Sequence, residues 1–219
     1  MNNRTLSRIT IISASFSMLL ISFAGPSASA AGLGNNKQFV VEMRMASEMG
    51  ESAGQVINAK YFVGKDRMRM DMTMGGMPSS SHITVFDGDQ ITTYMLIPQM
   101  KQYMKRVGTQ EELEDDGPAL LFGSPEDADH PCRSDPGTSC EKIGSDTFLG
   151  RSVDKYLVKE IEDGVPTEST IWFDRELLFP IKIEADDGSM EATSIEIGTQ
   201  PAELFEIPAG YSEMRMPSY

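Results

Sequence analysis

The chain has 219 residues, with 19 Lys and Arg against 33 Asp and Glu, for a formal net charge of −14. That balance excludes nucleic-acid binding, which needs a basic footprint, and makes an anionic membrane surface a poor partner. With 40% apolar and 24% charged residues the composition is that of a globular protein, and the length suits one domain.

Residues 1–30 read as a secretory leader. Arg4 and Arg8 supply a positive start, Ile9 to Phe23 an apolar stretch, and Ala28-Ser29-Ala30 a small-residue cleavage site, so cleavage is expected after Ala30. The stretch is interrupted by Ser13, Ser15, Ser17 and Ser22 and falls short of the roughly 20 apolar residues that span a bilayer. The expectation is a periplasmic product, residues 31–219, not membrane-spanning once processed. Its charge sharpens, since the only two basic residues of the leader are lost and no acid is.

Strand patterns then dominate. Val41, Met43 and Met45 alternate with Glu42 and Arg44; Ile57, Ala59, Tyr61 and Val63 alternate with Asn58 and Lys60. After a turn at Gly64-Lys65-Asp66, Met68, Met70, Met72 and Met74 recur at every second residue, which aims all four at one face of a strand and Arg69, Asp71 and Thr73 at the other. Ile83 to Phe86 and Gln90 to Ile97 flank Asp87-Gly88-Asp89, a hairpin signal, and Met100 to Val107 follows Pro98 as a further short strand.

Gly108 to Cys140 breaks the pattern. It holds nine acids, four prolines and a single basic residue, Arg133, and reads as an acidic insertion at 108–140. Thr109 and Glu112 have capping-box spacing for a short helix. Leu120, Leu121 and Phe122 form an apolar patch among the acids that suits either a pinned loop or a lid over a cavity. Cys132 and Cys140 are the only cysteines, and in an oxidising compartment seven intervening residues with Pro136 and Gly137 favour a disulfide. Beyond the insertion, Val153 to Ile161, Thr167 to Phe173, Pro180 to Ala185 and Met190 to Ile197 read as strands, and Pro201 opens a turn through Phe205. The fold class is mainly β: a meander of eight to ten antiparallel strands with few helices.

Catalytic constellations are hard to assemble. His82 and His130 sit in no triad or metal motif, no nucleophile or phosphate-binding signature occurs, and the acids are too evenly spread for one pair to stand out. Glu126-Asp127-Ala128-Asp129 lacks the later glycine and glutamate of a calcium loop. No enzyme activity, cofactor or metal site is expected from these groups. Methionine is the informative residue: fourteen of the sixteen lie beyond the leader, in M-x-M groupings at Met43 and Met45, Met68 to Met74, and Met214 and Met216. Unbranched thioethers suit a hydrophobic cavity that repacks around variable ligands, an inert core, or a Cu(I) site.

Trp172-Phe173-Asp174, Pro180-Ile181-Lys182 and Gly198-x-x-Pro201-x-x-Leu204-Phe205-x-x-Pro208-x-Gly210-Tyr211 together resemble the closing pattern of exported bacterial proteins of the LolA/LolB-like superfamily, the outer-membrane lipoprotein carriers, and within it a domain family of unknown function. Looser matches are Met68-Arg69-Met70 after Gly64-x-Asp66, Pro98-x-x-Lys101-x-Tyr103, and Gly144 with Gly150-x-x-x-x-Lys155-Tyr156. The resemblance implies a curved antiparallel sheet, an unclosed barrel around short helices, with an apolar cavity for acyl chains. The acidic cysteine-bearing loop departs from the pattern, and no arginine matches a carrier's functional residue.

The expected function is a non-enzymatic binding protein for a hydrophobic small molecule or lipid. Its expected wall is Val41, Met43, Met45, Ile57, Tyr61, Met68, Met70, Met72 and Met74, gated by Leu120, Leu121 and Phe122. The alternatives are a methionine-based copper protein and an envelope-stress or assembly module whose acidic loop contacts an envelope protein partner.

Overall fold

A computed structural model describes residues 37–47, 54–75, 79–88, 90–109, 139–162 and 165–214. Twelve strands form one open sheet. The first six are β1 (Phe39–Ser47), β2 (Val56–Val63), β3 (Arg67–Met74), β4 (Ser80–Asp87), β5 (Gln90–Ile97) and β6 (Gln102–Gly108). The second run is β7 (Ser139–Phe148), β8 (Arg151–Glu162), β9 (Val165–Asp174), β10 (Phe179–Ala185) and β11 (Gly188–Ile197), and β12 (Ser212–Glu213) ends the chain's described part. Their order across the sheet is β12-β6-β5-β4-β3-β2-β1-β11-β10-β9-β8-β7. Two antiparallel meanders are therefore joined along one seam, where Phe39 to Ser47 of β1 pair with Ile197 to Gly188 of β11.

The sheet exceeds the expected eight to ten strands because β7 and β12 carry no alternating pattern. β7 is an edge strand on which only Cys140, Gly144 and Phe148 are half-buried. β12 is two residues long and pairs in parallel with β6, the only parallel pair among the described residues. Both ends of the expected 108–140 insertion, Gly108 and Ser139-Cys140, are strand residues. The only helix among the described residues is a 3-10 turn at Ala202–Phe205, led by Pro201 as the sequence suggests.

Directly opposed residues in a ladder share a face, so the register defines what each face carries. Val41 opposes Tyr61 and Tyr61 opposes Met70; Met43 opposes Ala59 and Ala59 opposes Met72. Phe179 of β10 meets the rings of both Phe39 and Tyr61, with centroids 5.8 Å apart in each pair. β10 and β2 are three strands apart, about 14 Å along a flat sheet. The contact therefore requires the sheet to curl toward this face, which makes the methionine-bearing side the concave one.

The β9–β10 turn is locked into that hollow by Asp174, fully buried, whose carboxylate accepts from the backbone N–H groups of Glu176 (2.9 Å) and Leu177 (3.0 Å) and pairs with Arg151. On the opposite face, the segment after β11 crosses the first meander to reach β6. Phe205 packs there with Ile83 and Leu96, and Arg69 donates to the Leu204 carbonyl at 3.1 Å. This strap is built from the closing motif of the sequence.

Candidate functional site

The concave face holds the residues that the sequence singles out. Val41, Met43, Met45, Tyr61, Met68 and Met70 all join one buried cluster with Phe39, Leu177, Phe179 and Ile181, and none exceeds 6% exposure. Ile57 and Met72 are half-buried against the same cluster. Met74 closes the β3 ladder opposite Ile57. Strand alternation thus brings eight of the nine expected wall residues, all but Met74, to one face. Those of its centre are packed against the protein's own aromatic side chains.

Within this packing one polar atom stands out. The Tyr61 hydroxyl is fully buried and has no hydrogen-bond partner, and burial pushes the phenol well above its ordinary range. A hydroxyl so placed has lost its water without gaining a replacement, a deficit of about 1–3 kcal/mol.

Leu120, Leu121 and Phe122 lie outside the described residues, as do His130, Cys132, the expected helix at 109–115 beyond Thr109, and the leader. Cys140, near the start of β7, is half-buried beside Tyr156 and Val158 and is not a free thiol. His82, which sequence reading leaves without a role, sits on β4 opposite Met70 and Met95. Burial alone holds its imidazole below the ordinary histidine value.

A second concavity of about 540 Å³ lies at the β7–β8 hairpin, lined by Ser145, Arg151, Asp154, Arg175 and Glu176 among others. Its charges are answered from within. Arg151 pairs with Asp174 and, at 3.0 Å, with Glu176; Asp154 meets Lys142 at 2.7 Å and Arg175 at 3.5 Å. Burial raises the Asp154 carboxyl, but hydrogen bonds from Lys142 and Ser145 outweigh it and hold the group below its usual range. Such paired charges brace the hairpin. Among the described residues no cluster of three or more His, Cys, Asp or Glu gathers to hold a metal ion. No helix among them is long and apolar enough to cross a membrane.

No protein-family model and no curated protein matches the sequence. Several solved structures are similar. A chain of the Pseudomonas aeruginosa MucA/MucB complex shares 13% identity at a TM-score of 0.47, covering 81% of this chain and 57% of its own length. The Mycobacterium tuberculosis lipoprotein LppX shares 11% identity at 0.33, over 75% of this chain and 86% of its own. A LolA superfamily protein from Nitrosomonas europaea shares 9% at 0.32, over 79% and 90%. The chain spans little more than half the length of the MucA/MucB chain, and at these identities the likeness concerns the fold and not a ligand.

Proposed function

We propose that this is an exported periplasmic binding protein, acting without catalysis, that takes a hydrophobic ligand, a lipid or acylated molecule, against the concave methionine-rich face. The observation that carries the reading is the Tyr61 hydroxyl, buried and unpaired in an apolar wall. An orphaned polar atom in such a place is explained by a partner that is present only part of the time. The polar group of a bound amphiphile is such a partner. Met43, Met68 and Met70 surround the position on neighbouring strands, and unbranched thioethers move aside at low cost. In the same reading Leu120, Leu121 and Phe122 serve as the gate, and the leader delivers the protein to the compartment where such ligands travel.

Native mass spectra of protein isolated from the periplasm, set beside denatured spectra, are expected to show a lost adduct of lipid mass. Tyr61→Phe provides the second measurement. Removing the unpaired hydroxyl should raise the stability of the empty protein by about 1 kcal/mol and weaken a dansyl-labelled fatty acid several-fold. A bare mass together with unchanged probe affinity in Tyr61→Phe would overturn the proposal.

A further inference from the structure

The register of the first meander assembles a row of soft donors that no stretch of sequence displays. Met70 on β3 opposes His82 on β4, His82 opposes Met95 on β5, and Met95 opposes Met104 on β6. Ser212 and Glu213 of β12 pair with Gln102 and Tyr103, and the Met214 amide donates to the Tyr103 carbonyl at 2.8 Å. The same register carried one residue further sets Met214 beside Met104. Four adjacent strands and the residue that follows β12 thus contribute four thioethers and one imidazole to a single line across the concave face.

Exposure changes along this line. Met70 is 1% exposed, His82, Met104 and Met214 are half-buried, and Met95 is 36% exposed. The inner methionines belong to the packed core, whereas the outer donors are within reach of a solute. Among the described residues nothing hydrogen-bonds or pairs with the His82 ring. An imidazole without a hydrogen-bond partner offers its lone pair to a metal.

The flanking rows narrow the choice of cation. On one side lie Met68, Thr84, Thr93 and Arg106, and on the other Met72 with Ser80, and Ile97 with Gln102 and Ser212. No carboxylate occurs in them, so a hard divalent ion finds neither oxygen anions nor charge balance. Thioether and imidazole donors favour a soft, singly charged ion. His82, Met95 and Met104 occupy consecutive strands, which places their backbones within roughly 10 Å, and the flexible methionine arms can converge over that span.

We propose that His82, Met95 and Met104, flanked by Met70 and Met214, form a Cu(I) site on the outer part of the concave face. Its three ligands lie outside the wall proposed around Tyr61, with which it shares only the flanking Met70, and it stands or falls independently of that reading. It uses Met95, Met104 and His82, none of which lies in an M-x-M grouping.

The test is an anaerobic Cu(I) titration of the purified protein against the chromophoric chelator bicinchoninate, with folding checked by circular dichroism. The wild type should take up one equivalent, with the His82 ring resonances shifting as it binds. Met95→Leu combined with Met104→Leu conserves volume and should weaken binding by about tenfold or more. His82→Gln should weaken it likewise. Met43→Leu combined with Met68→Leu, in the packed core, should leave affinity unchanged. Failure of the wild type to compete with the chelator overturns the site. So does equal affinity after loss of Met95 and Met104, or a loss confined to the core pair.

Discussion

His82 is the residue whose protonation most directly tests the packing around it. Burial holds its pKa below the ordinary histidine value, so the native protein keeps it neutral where the unfolded chain takes up a proton. The unfolded state therefore binds more protons below about pH 6.5, and stability from this group is present above that value and lost as pH falls through the lower native one. Urea midpoints are expected to drop between pH 7.5 and pH 5.5, and His82→Gln should flatten that drop. An unchanged pH slope in the variant would show that the ring is hydrated in the native state. The carboxyls of Glu42 and Asp66, held low by Lys60 and Arg67, act in the same direction but below their ordinary range, nearer pH 4.

At the scale of elements, the decisive contact is the β1–β11 ladder, because among the described residues it is the one ladder between the two meanders. Gly188 lies at its end opposite Ser47, where a Cβ would come within 2.5 Å of the Ala46 carbonyl oxygen. Backbone cannot swing aside as a side chain can. Gly188→Ala should therefore destabilise the protein by about 2 kcal/mol or more, read as a lowered urea midpoint with an unchanged slope. A neutral result would mean that the seam shifts at its end without loss.

The same elements show what a sequence displays and what it hides. β3 and β5 were legible because Met68 to Met74 alternate strictly and Asp87-Gly88 marks the hairpin before Gln90. β7 was not, since an edge strand exposed at Glu141, Lys142 and Ile143 has no apolar rhythm to read. The wall residues were legible as one face from alternation alone. That the face curls until Phe179 touches Tyr61 was not, because curvature arises from partners distant in the chain. His82 was overlooked for a similar reason: its neighbours Met70 and Met95 lie on other strands, and only register reveals them.

For the whole molecule, the strand order implies a gradient of local stability. β1 and β11 lie in the interior of the sheet, paired on both sides, and Val41, Met43 and Ala192 there are almost wholly buried. β7 closes one margin with a register irregularity between Lys142 and Gly144, and β12 closes the other with two residues. Hydrogen exchange should be slowest in β1 and β11 and fastest in β7 and β12, with intermediate rates between them. Equal protection across all twelve strands would contradict a fold organised around its seam.

The graded exposure of the methionine row also has a chemical consequence. Sulfur is oxidised where peroxide can reach it, and each sulfoxide turns an apolar arm into a polar one. Among the described methionines, Met100, 54% exposed, and Met95 should be converted first under mild peroxide, while Met43, Met68 and Met70 at 1–2% exposure resist until the sheet opens. Peptide mapping of the order of conversion would verify this, and early oxidation of Met70 would contradict the packing. An oxidant would thus reach the exposed thioethers well before those on which the core depends.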